Sequence, residues 1–369
     1  MKIGILGTRG IPNAYGGFEQ FAQYLAQGLQ LKGHHVSVYN STNHPYKKSE
    51  WQGVRIIHCK DWEENIGTTG QFIFDFNCIQ DARRRGFDIL LQLGYTSNSI
   101  WHNLWPKKAI NIINLDGLEW KRSKYSKQTQ KFLQVAEKLA VRNGDMLISD
   151  SLGIQQYIQD KYGRSSTYIP YGAEVFTQQD ESKVTAFGLE PYGYHLLIAR
   201  MEPENNIETI IRGHILSSSP EPLIIIGNQN NKFGKLLQKR YKSPDIRFVG
   251  SIYDFELLNN LRYFSSIYFH GHSVGGTNPS LLEAMGCHCY IVAHDNIFNR
   301  AILGENANYF LNEEDVNRAI DIGHDPELRK KNGDKNVEKI TQEYRWQIII
   351  DKYESLFIEA LKSRELVSK

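Results

Sequence analysis

The chain has 369 residues, above the size at which one hydrophobic core keeps growing, so two domains are expected. Its 43 Lys and Arg against 41 Asp and Glu leave a formal net charge of +2, which argues against a dedicated nucleic-acid binder while leaving room for a local basic face. Four cysteines, Cys59, Cys78, Cys287 and Cys289, are too few and too scattered for a disulfide framework and fit a reducing cytoplasm. The N-terminal Met-Lys-Ile-Gly-Ile-Leu-Gly reaches glycine and polar residues too soon for a signal-peptide core, and no apolar run approaches spanning length. A soluble or peripheral protein is expected. Short apolar runs at residues 2–6, 35–39, 54–58, 88–93, 109–115, 145–149 and 167–169 read as buried strands, with helical patterns such as 18–30 and 129–141 between several of them. That alternation predicts a doubly wound parallel sheet. The segment 171–192 has the weakest periodicity and reads as a linker. A second series follows at 194–199, 223–226, 246–249, 267–269 and 289–293, each run trailed by a helical pattern, and 337–361 reads as one long helix. The predicted domains are residues 1–172 and 173–345, with 346–369 helical.

The stretch Val274-Gly-Gly-Thr-Asn-Pro-Ser-Leu-Leu-Glu-Ala-Met-Gly286 follows the apolar run 267–269 and opens a helix that carries one carboxylate. Gly275 and Gly276 let the backbone approach a ligand closely, and Asn278, Pro279 and Ser280 favour a helix entrance. Free N–H groups of Gly275, Gly276, Thr277 and Asn278 would face phosphate or sugar oxygens, and Glu283, one turn in, would accept from ribose hydroxyls. The N-terminal loop Gly7-Thr-Arg-Gly-Ile-Pro-Asn-Ala-Tyr-Gly-Gly-Phe-Glu19 is not GxGxxG: Pro12 interrupts the tight turn and the second strand ends at Tyr39-Asn40 without an acidic residue, so a nicotinamide cofactor is disfavoured. Gly16 and Gly17 stand where the helix begins, with N–H groups available to a phosphate across an interdomain cleft. Glu19 fits two roles, orienting an acceptor hydroxyl or capping the loop. In Ala199-Arg-Met-Glu-Pro-Glu-Asn-Asn-Ile207, Arg200 sits at a strand exit where a guanidinium would meet phosphate through paired hydrogen bonds.

The 274–286 loop resembles the donor-site loop of the retaining nucleotide-sugar glycosyltransferases of family 4, which have the GT-B fold: two Rossmann-like doubly wound parallel-sheet domains facing across a cleft. The resemblance covers nearly the whole chain. It implies that Arg200 matches the arginine that holds the donor diphosphate, that Asn205 stands at the position of a lysine, and that the last helix returns to the first domain. Members carry two glutamates eight positions apart, and Gly275 occupies the place of the first. Gly275 and Asn205, together with Tyr15-Gly-Gly-Phe-Glu19 and Asp116-Gly-Leu-Glu-Trp-Lys-Arg122, look like a bacterial subgroup of rhamnosyltransferases of capsule and exopolysaccharide assembly. The resemblance places Asp116 beside the reacting sugar and Tyr253 beside the nucleobase. For Trp120, a flat face toward a pyranose and a place in the core fit equally. The basic run Lys121, Arg122, Lys124, Lys127 and Lys131 fits a solvated face or anionic lipid head groups.

His270, His272, His288 and His294 match no ligand spacing and no Asp-x-Asp follows a strand, so neither a metal ion nor a bound cofactor is expected; His272 reads as a donor-site hydrogen-bond partner or a packed residue. The expected partners are a nucleotide-sugar donor, dTDP- or UDP-linked, and a saccharide or lipid-linked saccharide acceptor, in a cytoplasmic protein that touches the membrane peripherally. A sugar-nucleotide epimerase of the same architecture and a non-catalytic sugar-nucleotide-binding subunit are the two other classes the sequence leaves open.

Overall fold

The computed structural model describes residues 1–14, 16–115, 117–122, 125–217, 219–323 and 325–367. A first compact unit is built from Met1–Lys121, Tyr125–Gly172 and the segment that begins at Trp346; a second is built on Ala173–Arg345. The first contains strands β1 (Lys2–Leu6), β2 (His35–Ser41), β3 (Glu50–Trp51), β4 (Val54–Cys59), β5 (Ile89–Leu93), β6 (Ile110–Leu115), β7 (Met146–Ser149) and β8 (Thr167–Tyr168). Their order is β3-β4-β2-β1-β5-β6-β7-β8, and every pair is parallel except β3 with β4. Ile3, Ile5, Val38, Leu90, Leu91, Ile112 and Ile148 are buried, as strands covered on both faces require. The short antiparallel edge β3 was not visible in the periodicity. It exists because Gln52 and Gly53 both take positive φ, the turn that closes a two-residue hairpin.

The first helix, Gly17–Leu31, turns Phe21, Ala22, Leu25, Ala26 and Leu29 inward at helical spacing. Against it lies the C-terminal helix Trp346–Val367: a side chain on Gly28 would stand 2.2 Å from Ile350, and Tyr24 stacks on Trp346 at 4.5 Å between ring centroids. The single helix expected over 337–361 is instead interrupted. A helix ends at Lys339, a π-turn spans Ile340–Tyr344, and Arg345 leaves helical geometry to pair with Ala173 in a parallel bridge before the last helix starts. The linker region also holds a short helix, Glu181–Ala186, capped by Asp180.

The second unit is a six-stranded parallel sheet of β9 (His195–Ile198), β10 (Leu223–Ile226), β11 (Ile246–Gly250), β12 (Ile267–His270), β13 (Ile291–His294) and β14 (Asn308–Phe310), ordered β11-β10-β9-β12-β13-β14. β14 is three residues long and went unread in the sequence. Leu197, Ile210, Leu223, Ile225, Phe269, Val292 and Phe310 belong to one buried cluster. The chain proceeds outward from β9 on one side and then restarts at β12 on the other. Such a reversal leaves a crevice beyond the carboxyl ends of β9 and β12, the place where open α/β sheets hold ligands.

Candidate functional site

Two loops leave the sheet of the second unit at that reversal, and they are stitched together. Ser273 donates from its backbone N–H (3.0 Å) and its hydroxyl (2.7 Å) to the Glu204 carbonyl, and the Asn206 amide donates to the Gly271 carbonyl at 2.8 Å. Gly271 permits the contact: a Cβ there would stand 2.0 Å from the Asn205 carbonyl oxygen. Gly227 does the same one strand over, where a Cβ would meet the Ala199 carbonyl at 2.0 Å. Arg200, exposed at the β9 exit, and the Gly275-Gly276 loop after β12 are thereby brought to one edge of the sheet.

Among the described residues the backbone N–H groups of Gly275, Gly276 and Asn278 donate to nothing. Gly275 has φ of 133°, a conformation side chains rarely adopt, so the backbone shape at this position favours glycine. The helix Pro279–Gly286 contributes fewer donors than expected. Pro279 has no N–H, and the Asn278 side chain accepts the Ser280 N–H at 2.9 Å. The donors left without a partner among the described residues are therefore loop amides. Asn278 caps the helix through its side chain, and Thr277 is buried.

Glu283 projects from that helix and pairs with Arg262, a residue the sequence reading missed. Asn205 differs from its expected place toward the donor: it is buried, and its amide donates to the Arg200 carbonyl at 2.7 Å, so it shapes the loop that carries Arg200. His272 stacks on His270 with ring centroids 4.4 Å apart, and its backbone carbonyl accepts from Asn296 and Asn299, both at 3.0 Å. Burial, then the Arg200 charge, lowers the His272 pKa to about 3, which keeps the imidazole neutral. His270 is fully buried, neither ring nitrogen has a partner, and burial holds its pKa well below the usual value. Tyr253, in the loop after β11, is 81% exposed and offers an open ring face.

In the first unit the Gly-rich loop is held rigidly from below. Asn40, at the end of β2, accepts from the Ile11 N–H at 3.1 Å and donates to the Ile11 carbonyl at 2.7 Å, and Gly10 takes φ of 134° against it. Glu19 is buried and accepts the Arg9 N–H at 3.0 Å, so the structure gives it the loop-capping role. Arg9 pairs through its guanidinium with Glu63. Gly16 does not present a free N–H, because that group donates to Asn13 Oδ1 at 3.2 Å; the Gly17 N–H has no partner among the described residues. Asp116 lies outside the described residues. Trp120 is anchored by an indole N–H donated to buried Glu137 at 3.0 Å, and the same carboxylate accepts from Tyr157 (2.8 Å), Tyr162 (2.6 Å) and Lys161 (2.9 Å). Among the described residues no three His, Cys, Asp or Glu side chains converge as a metal site, and no helix is long and apolar enough to cross a membrane.

Comparison with known proteins gives this geometry a context. Residues 183–337 match the family of glycosyl transferases group 1, and residues 1–174 match a domain of unknown function, DUF1972. No curated protein matches the chain in sequence. Sucrose-phosphate synthase from Thermosynechococcus elongatus is 17% identical and superposes with a TM-score of 0.82 over 98% of this chain and 99% of its own. Anabaena HepE in complex with UDP is 15% identical, with a TM-score of 0.76 over 97% and 100%. A glycosyltransferase from Rickettsia africae is 14% identical, with a TM-score of 0.71 over 98% and 99%. At these identities the likeness shows the fold, and the fold is GT-B.

Proposed function

We propose that the protein, a glycosyltransferase of GT-B fold, is a retaining enzyme of the family-4 type. It moves rhamnose from a dTDP-linked donor to a glycan or lipid-linked saccharide during bacterial surface polysaccharide synthesis. The observation that carries the reading is the stitched pair of loops at the ends of β9 and β12, with Arg200 on one and the unpartnered N–H groups of Gly275 and Gly276 on the other. A diphosphate held there would be met by backbone dipoles that need no reorganisation and by a cation that strengthens its hold as charge grows on the leaving group. Glu283 holds the nucleoside sugar through its hydroxyl, Tyr253 stacks on the base, and His272, kept neutral, offers a ring nitrogen to the donor without adding charge. Asn205 acts indirectly, through the Arg200 backbone. HepE is described in complex with UDP, which supports a nucleoside diphosphate as the common ligand chemistry.

The first unit takes the acceptor through the loops that follow β1 and β6, with Asp116 next after β6 in the sequence. Glu19 and Asn40 act by fixing the first of these loops. Attack on the same face that the leaving group departs needs no dedicated protein base, since a leaving-group oxygen takes the acceptor proton. Gly275, where the family has a glutamate, removes a polar contact to the sugar and fits a deoxysugar that lacks one hydroxyl. No ion or cofactor takes part. Peripheral membrane contact is supported by the helix Lys127–Asn143, whose exposed face carries Lys127, Lys131, Lys138 and Arg142 beside Phe132 (38% exposed) and Val135 (54%).

Thermal-shift titration with dTDP, UDP, GDP, ADP and NAD tests the ligand class. A specific nucleoside diphosphate raises Tm by mass action, dTDP or UDP most. Stabilisation by NAD alone would remove the reading.

A further inference from the structure

The helix Phe255–Tyr263 buries Asn260, Leu261 and an arginine, Arg262. Arg262 has a side chain 2% exposed, next to Leu261 and beneath β12 residue Tyr268. A buried guanidinium is costly unless it is paired and hydrogen-bonded, and a well-packed Met or Leu would serve stability about as well. The arginine's partners therefore indicate what it is for. One terminal nitrogen contacts the Glu283 carboxylate and, at 3.5 Å, the Ser280 hydroxyl; the other donates to Asn259 at 2.9 Å. Ser280 and Glu283 stand one turn apart on the helix that follows the Gly275-Gly276 loop, and Tyr268 meets the Ser280 hydroxyl at 2.7 Å.

We infer that Arg262 is a positioning residue that fixes the Glu283 carboxylate for the hydroxyl groups of the donor's nucleoside sugar, the 3′-hydroxyl in a dTDP-linked donor. This rests on the reading of Glu283 as the group that holds that sugar. Glu283 is itself 13% exposed, so its carboxylate has a buried side facing Arg262 and a narrow edge toward solvent. A guanidinium nitrogen on the buried side, in a group held from its other terminal nitrogen by Asn259, restricts the rotamers that a partly exposed glutamate otherwise samples. A charged acceptor binds a hydroxyl more strongly than a neutral one. The orientation of the Glu283 carboxylate thus depends on a residue 21 positions earlier that does not itself touch the ligand.

The test uses the full chain and two ligand pairs, UDP with 2′,3′-dideoxy-UDP and dTDP with 3′-deoxy-dTDP, measured by isothermal titration calorimetry and scored on the base that binds tighter. The parent protein prefers the hydroxyl-bearing member by about 10- to 100-fold, the range of a charge-assisted hydrogen bond. Glu283→Gln brings that ratio close to one. Arg262→Met does the same while affinity for the deoxy member stays within about threefold of the parent, since phosphate and base contacts are untouched. Arg262→Lys, which keeps the charge but cannot bridge Asn259 and Glu283 through two nitrogens, falls between. An Arg262→Met protein that keeps the parent ratio, or that loses both ligands equally, overturns the inference. Should Arg262→Met fail to fold, Arg262→Lys decides: a lowered ratio supports the positioning role and an unchanged one overturns it. A parent-like ratio in Glu283→Gln removes the nucleoside-sugar reading itself, and Arg262 with it.

Discussion

Replacing Gly271 by alanine separates the two loops that form the candidate donor site. The new Cβ would stand 2.0 Å from the Asn205 carbonyl oxygen, 2.9 Å from its carbon and 3.0 Å from Ile210 Cδ1, so the 200–206 loop must move by about 1 Å to restore ordinary contact. Overpacking of this kind costs about 1–3 kcal/mol. For a unit of this size each kcal/mol lowers Tm by about 2–4 °C, which gives a drop of about 2–12 °C. The displaced loop carries Arg200 away from Gly275 and Gly276, and a misplacement of about 1 Å costs on the order of 10²-fold in turnover. Gly304→Ala is the control. Gly304 has φ of 56° and ψ of −124° with open space around the added carbon, so alanine there strains the backbone by about 1–3 kcal/mol without touching either loop. Differential scanning fluorimetry and nucleotide-release kinetics on both variants separate the effects. If Gly271→Ala loses stability but turns over as fast as Gly304→Ala, the two loops do not work as one site.

Arg200→Ala, at an exposed position, should leave Tm unchanged and lower kcat by about 10²–10³-fold, with donor affinity less affected; steady-state kinetics with unchanged kcat would remove Arg200 from the mechanism. His214 (pKa about 4), His270 and His272 are kept neutral by burial, whereas each takes up a proton near pH 6.5 when unfolded. The unfolded state then binds more protons, so stability falls as pH drops below about 6.5, by about 1.4 kcal/mol per pH unit for each histidine while the folded form stays neutral. Denaturant titrations between pH 7.5 and 5 that show flat stability would contradict that burial. Transfer should persist in excess EDTA, because Arg200 and loop amides meet the diphosphate; activity abolished by chelator and restored by magnesium would show the phosphate site to be misread.

The alternation of apolar runs and amphipathic stretches disclosed nearly every strand, because buried parallel strands leave continuous apolar segments. β3 and β14 escaped because each is short and opens on a polar residue, Glu50 and Asn308, with no apolar run to mark it, whereas the equally short β8 runs on into Ile169. The Gly275-Gly276 loop was legible because Gly275 is required by backbone shape rather than by packing. Side-chain direction was not legible. Asn205 and Asn278 are polar residues in a ligand loop, yet one is turned inward onto Arg200 and the other is used as a helix cap. Arg262 read as one more charge at a helix end, and only the fold brings it to Glu283. Glu19 was balanced between two roles until the Arg9 N–H was found on its carboxylate.

The central claim is transfer of a sugar with its anomeric configuration kept. Incubating the protein with dTDP-rhamnose and a lipid-linked saccharide acceptor, and following both nucleotide release and the anomeric proton of the product by NMR, tests it most directly. The account predicts release that requires the acceptor and a product with the configuration of the donor. Inverted configuration, interconversion of the donor sugar without acceptor, or tight binding with no turnover would contradict it.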